Sequence, residues 1–231
     1  MICYKLTDQN YQTKNNTQWG IDVTHTLPQK SNPVMCSEDV LHYYRSWELA
    51  LMINPEHANI QNPVLWEAES DNDAISDWGK SACFTLTTKR IIRVNLSDKQ
   101  YTNIRVRFAI YCAMTVYKNP AFTLWANNWL SGKDRTTAAA EAAAEAAEAW
   151  AAAEAAEAWA AAWAAWAAAW AAWAEAEAAE AASASAAAEA AAEAASEAAW
   201  AAAASAEAWA EIDFDALAKQ AWREEFMEVK L

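Results

Sequence analysis

The chain has 231 residues, 55% of them hydrophobic with alanine counted, and a formal net charge of −14. That charge is unevenly placed: residues 1–137 hold 14 Lys/Arg against 13 Asp/Glu, whereas residues 138–231 hold 3 against 18. So acidic a half excludes direct binding of nucleic acid or docking on anionic lipid, since both need Lys and Arg against phosphate.

The N-terminal part reads as a small α+β module. Cys3 to Leu6 makes a short opening strand, followed by a polar loop through Asn15 and Asn16, and Trp19 to Thr26 makes a second strand. Leu41 to Tyr44 is apolar and aromatic. Ser46 caps a helix to about Ile53, which Asn54-Pro55 stops. Val64 to Glu69 has strand alternation, with Leu65 and Glu67 on one face and Trp66 on the other. Phe84 to Thr87 and Arg90 to Val94 suggest a hairpin around Thr88-Lys89, although no glycine sets its turn type.

Ser97 and Gln100 have capping-box spacing, so a helix should begin near Asp98 and run to about Tyr117. Ile104, Phe108, Tyr111 and Thr115 form its apolar side, and Arg105 and Arg107 project elsewhere. Asn119-Pro120 breaks that helix and opens the next, which carries Phe122, Trp125 and Trp129 and stops at Ser131-Gly132. Thr136 or Thr137 then caps a long Ala-rich helix.

Residues 138–211 use four residue types: 49 Ala, 13 Glu, 8 Trp and 4 Ser in 74 positions. Ala is the best helix former and Glu is close behind, so this segment predicts a helical arm. At 100° per residue, Trp159, Trp163, Trp166, Trp170 and Trp173 share one stripe. Glu141, Glu145 and Glu148 extend that line backwards, and Glu177 and Glu180 extend it forwards. Unbroken, the arm would reach about 111 Å. Burying a large apolar side chain is worth roughly 1.5–3 kcal/mol. The indoles should therefore find cover through fold-back near residues 182–186 into an antiparallel Ala-faced hairpin, through a second copy, or through another protein. Asp213 or Asp215 caps a last helix from Phe214 to Glu228, with Leu217, Trp222 and Phe226 as core residues. The expected organisation is thus a module over 1–136, an arm over 137–211 and a C-terminal helix over 212–231.

The stretches YKLTDQN (4–10), LHYY (41–44), INPEHANIQNPVLWE (53–67) and WANNWLSGKDRT (125–136) resemble an uncharacterised family encoded by bacteriophages and prophages. In that family an N-terminal domain is often followed by an Ala-rich tail. The resemblance implies a phage or prophage origin and expression in a bacterial cytoplasm, and it carries over no catalytic residue. The chain departs from it at Asp71-Asn72-Asp73, where relatives commonly place a Gly turn.

Chemistry-bearing residues are few. His25, His42 and His57 read as histidines satisfied by their surroundings, and Glu67 with Glu69 as solvated strand residues rather than an acid pair. Cys3, Cys36, Cys83 and Cys112 are widely spaced without a C-x-x-C pair, which favours free thiols over zinc or a redox motif. There is no Gly-rich phosphate loop and no H-E-x-x-H, and the first 20 residues lack the apolar core of a signal peptide. The longest uncharged stretch of the arm, Ala158 to Ala174, has 17 Ala and Trp residues and is a poor membrane span.

No catalytic residue, metal site or cofactor is therefore expected. The leading expectation is a non-enzymatic accessory protein that contacts a host or phage protein through the acidic and aromatic stripe, inhibition of a host defence complex being one form of this. Self-assembly through the same stripe is the alternative. A third reading is a nucleotide-acting enzyme in the N-terminal module, whose strand, His-bearing strand, helix and strand order loosely resembles ADP-ribosyltransferase-like folds. Its mark would be a deep pocket holding His42 or His57 with a carboxylate in reach.

Overall fold

A computed structural model describes residues 1–71, 73–77, 79–144, 167–168, 170, 172 and 212–228. It is an α+β protein whose chain divides into two compact units, residues 1–95 and 96–231.

The first unit is built on antiparallel strands. Its larger sheet has the order β1-β6-β9-β4, comprising Ile2–Thr7, Val64–Ser70, Thr85–Ile92 and Val23–Thr26. A smaller sheet runs β5-β8-β7, comprising Leu41–Tyr43, Ser81–Cys83 and Ile75–Ser76. Gln12–Thr13 (β2) and Thr17–Gln18 (β3) form a short hairpin. Tyr4 and Tyr44 exchange two backbone hydrogen bonds of 2.8 Å and tie β1 to the end of β5. Cys3, Trp19, Tyr43, Ala68, Cys83 and Leu86 pack as one buried cluster. Trp19 and Trp66 are buried yet keep their indole N–H satisfied, on Thr13 Oγ1 and Thr7 Oγ1 respectively, each at 3.0 Å.

Three expectations for this unit need correction. Thr88-Lys89 is not a turn, because β9 runs straight through it. Glu67 pairs with Arg90 and Ala68 with Thr88, which leaves Lys89 as the extra residue of a bulge. Nothing there favours positive φ, and the buried Thr88 hydroxyl is satisfied by the Gly20 carbonyl. The second strand is shorter than Trp19 to Thr26 and begins at Val23, because Asp22 takes φ +56 and turns the chain first. Asn54-Pro55 ends the helix α1 (Trp47–Met52), capped by Ser46 as expected, but also opens the short helix α2 (Asn54–His57). The Asn54 amide then holds Ile60 through two hydrogen bonds of 2.9 and 3.2 Å, fixing the loop after His57.

The second unit is helical where it is described. α3 spans Asp98–Val116 with both halves of the Ser97/Gln100 capping box formed. α4 spans Pro120–Leu130, with Asn119 capping it and Gly132 beyond it at φ +72. Thr136 Oγ1 accepts from Ala139 N at 3.3 Å, and residues 137–144 are helical. α5 spans Phe214–Glu228 and packs on α3. Its inward face is Phe214, Ala218, Ala221, Trp222 and Glu225, whereas Leu217 is half-buried and Phe226 is 42% exposed. The expected core triad of α5 therefore reduces to Trp222.

Arg107 likewise does not point to solvent. It is fully buried, with Nη1 3.3 Å from Glu224 and Nε 3.5 Å from Glu225. Asn103 Nδ2 donates to Glu225 at 3.0 Å, and the Tyr111 hydroxyl donates to Glu224. None of the helices described is long and apolar enough to cross a membrane.

Candidate functional site

Strand alternation places Lys5 between Cys3 and Thr7 on the buried side of β1. An ammonium cannot end in an apolar core, and this one finds two partners. Its Nζ donates to the His42 carbonyl at 2.8 Å and lies 4.9 Å from the Trp19 ring centroid. Burial lowers the Lys5 pKa to about 8. Around it lies a cavity of about 420 Å³ within the first unit. His42 enters from β5, Tyr44 from just beyond it, His57 from the end of α2, and Lys80 from the turn before β8.

That turn is organised by Asp77, whose Oδ1 accepts from the backbone N–H groups of Gly79 and Lys80 at 2.9 and 2.8 Å. Position 79 has to be glycine here. An ideal Cβ would stand 2.5 Å from His57 Cε1 and 2.7 Å from Ile53 Cδ1. The His57 ring is near-parallel to Tyr44, at 17° with centroids 6.4 Å apart.

Both imidazoles are held neutral. Burial first, then the positive charges of Lys5 and Lys80, lowers the His42 pKa to about 4. Burial and then Lys80 lower His57 to about 4 as well. Hydrogen bonding agrees for His42, since Nε2 accepts the Cys36 backbone N–H at 3.0 Å and so carries no proton. Burial, with the charges of Asp77 and Cys36, raises the Tyr44 phenol far above its ordinary value. Among the described lining residues Lys5, Lys14 and Lys80 face one carboxylate, Asp8, which already accepts from Asn10 N and Gln12 N at 2.9 and 2.7 Å. The lining therefore carries about two net positive charges at neutral pH.

The structure thus brings His42 and His57 to one cavity, with Asp77 close enough to act electrostatically on both. His25 lies elsewhere, its Nε2 2.8 Å from the Gln18 carbonyl and its ring edge-on to Trp19. Glu67 and Glu69 are not an acid pair. Arg90 clasps Glu67 at 2.7 and 3.1 Å, and Lys89 lies 3.3 Å from Glu69. Among the described residues no group of His, Cys, Asp and Glu is arranged to hold a metal ion.

Sequence reading passed over Lys5 and Lys80, and took Cys36 only as one of four spaced free thiols. Lys5 had a signal, a charged residue in phase with buried strand positions, whereas Lys80 reaches the site through a turn that no pattern announced. Of the stripe proposed on the arm, Glu141 and Trp170 are described, and both are exposed. Trp159, Trp163, Trp166, Trp173, Glu145, Glu148, Glu177 and Glu180 lie outside the described residues, as do residues 182–186, where the fold-back was expected. Comparison of the chain with family models, curated proteins and solved structures finds no match.

Proposed function

We propose that the N-terminal unit binds a small anionic molecule in the cavity between Lys5, His42, His57 and Lys80. One observation carries this reading: three lysines line a partly open cavity whose single described carboxylate is already engaged by backbone N–H groups. The cavity volume of about 420 Å³ suits a metabolite rather than a macromolecule. A nucleotide fits the class well. Its phosphates would satisfy the lysines, and its ring would lie against Tyr44.

Titration calorimetry of the full chain with inorganic phosphate, pyrophosphate, a nucleoside diphosphate and the parent nucleoside tests it. Affinity should rise with ligand charge, and Lys80→Met should weaken the diphosphate about tenfold, the scale of one charge-assisted hydrogen bond. Binding that ignores ligand charge, or that survives Lys80→Met unchanged, removes the reading.

A second reading concerns the arm, and Trp170 favours it. This indole is 41% exposed, whereas Ala168 and Ala172, about 160° round the helix, are buried. A stripe of indoles bounded by carboxylates, as the sequence spaces them, would suit a protein partner or a second copy. The resemblance to phage-encoded proteins supports a bacterial cytoplasmic setting and a host or phage protein as that partner. The triple variant Trp163→Ala, Trp166→Ala, Trp170→Ala should lose capture of its partner from bacterial lysate while keeping its helical circular dichroism. Unchanged capture would mean that contact lies elsewhere, and light scattering separates self-association from a foreign partner.

A further inference from the structure

Cys36 stands on the loop between β4 and β5, and that loop is pinned to the cavity wall from two directions. Its backbone N–H donates to His42 Nε2 at 3.0 Å, and its Sγ accepts from Lys80 Nζ at 3.0 Å. The residue is held at φ +63, a left-handed conformation that a side chain other than glycine adopts at a cost. The thiol is exposed and lines the cavity. We propose that the Cys36 sulfur, hydrogen-bonded by the Lys80 ammonium, is a nucleophile that attacks an electrophilic carbon of the anionic molecule held in this cavity. The inference rests on the anion-binding reading above and adds a covalent role to it.

The chemistry balances without a co-reactant. The thiol proton goes to water as the sulfur attacks. The sulfur lone pair forms an S–C bond, and the bond from that carbon to its leaving group breaks with both electrons on the leaving group. Nothing is oxidised or reduced. Lys80 keeps its proton throughout and serves as counterion first to sulfur and then to the substrate anion. The Lys80 ammonium, 3.0 Å from that sulfur and 8% exposed, is placed to stabilise the negative charge that develops on it during the attack. His42 cannot take the thiol proton through Nε2, which the Cys36 amide already occupies. The other three cysteines provide the contrast. Cys3, Cys83 and Cys112 are buried, and burial pushes the Cys3 thiol up to about 11 and Cys83 up to about 12.

The test is alkylation of the full-length protein at neutral pH with iodoacetate and with iodoacetamide, glutathione being the reference thiol and peptide mass spectrometry locating the product. Iodoacetate should modify Cys36 about tenfold faster than glutathione. The excess over glutathione should be smaller for the uncharged iodoacetamide, and inorganic phosphate should slow the reaction. Lys80→Met should abolish the preference for iodoacetate. Phosphate protection of the wild-type protein needs no variant, so it stands even where Lys80→Met disturbs folding. If Cys36 reacts no faster than glutathione while phosphate still binds by calorimetry, the nucleophile is overturned and the anion site survives. Equal enhancement for both reagents with no phosphate binding removes the anion site and this inference together.

Discussion

His42 and His57 set how the N-terminal unit responds to acid. Each would titrate near 6.5 in an unfolded chain, and each is lowered to about 4 in the fold. Between these values the unfolded state binds protons that the folded state refuses. Their contribution is therefore complete above pH 6.5, declines as the pH falls, and is lost below about 4. A tenfold change in proton affinity is worth about 1.4 kcal/mol, and water reaching both rings screens part of it. The pair then contributes on the order of 3 kcal/mol over that window. Urea denaturation followed between pH 7 and pH 4 should show this fall, and the double variant His42→Asn, His57→Asn should flatten the part above pH 5. A fall above pH 5 that the double variant retains would overturn this assignment, because carboxylates such as Glu67, which Arg90 holds below its usual range, lose their stabilisation only at lower pH. At the same scale, Cys36 was legible in sequence only as one of four spaced thiols. What distinguishes it is an amine 3.0 Å from its sulfur, contributed by a residue 44 positions away.

The docking of α5 on α3 is decided by charge as much as by apolar area. Arg107, Glu225 and Asn103 are buried together, with Glu224 and Tyr111 completing the network. Removing one partner from a buried ion pair leaves the other uncompensated, which costs about 3–5 kcal/mol. Arg107→Met should therefore destabilise the second unit by that amount in urea melts read by circular dichroism. Arg107→Met with Glu225→Leu should recover most of the loss, because a well-packed apolar pair often matches a buried ionic one. A double variant no more stable than the single one would place the energy in packing. Element starts were readable where the signal is local: the Ser97/Gln100 box, the Asn119-Pro120 opening and the Ser46 cap all formed as their spacing implied. The strand through Thr88-Lys89 was not readable. A hairpin and a bulged continuous strand share the same short apolar runs, and the choice falls to pairing with β6 and β4 on either side.

Across the whole molecule, composition and order along the chain settle different questions. A segment of 49 Ala and 13 Glu without Gly or Pro states its helical preference residue by residue, and residues 137–144 are helical where that segment begins. The concentration of acid beyond residue 137, the α+β class and the helix caps were likewise properties of the chain alone, because each depends on neighbours within a few positions. The cavity was not of that kind. Its walls come from β1, from β5, from the end of α2 and from the turn before β8, and no local pattern sets the distance between Lys5 and Lys80. Only antiparallel pairing of β5 with β8, and the Tyr4–Tyr44 bridge to β1, carries these amines and imidazoles to one place, where mutual burial and charge then give them the protonation states on which a bound anion would depend.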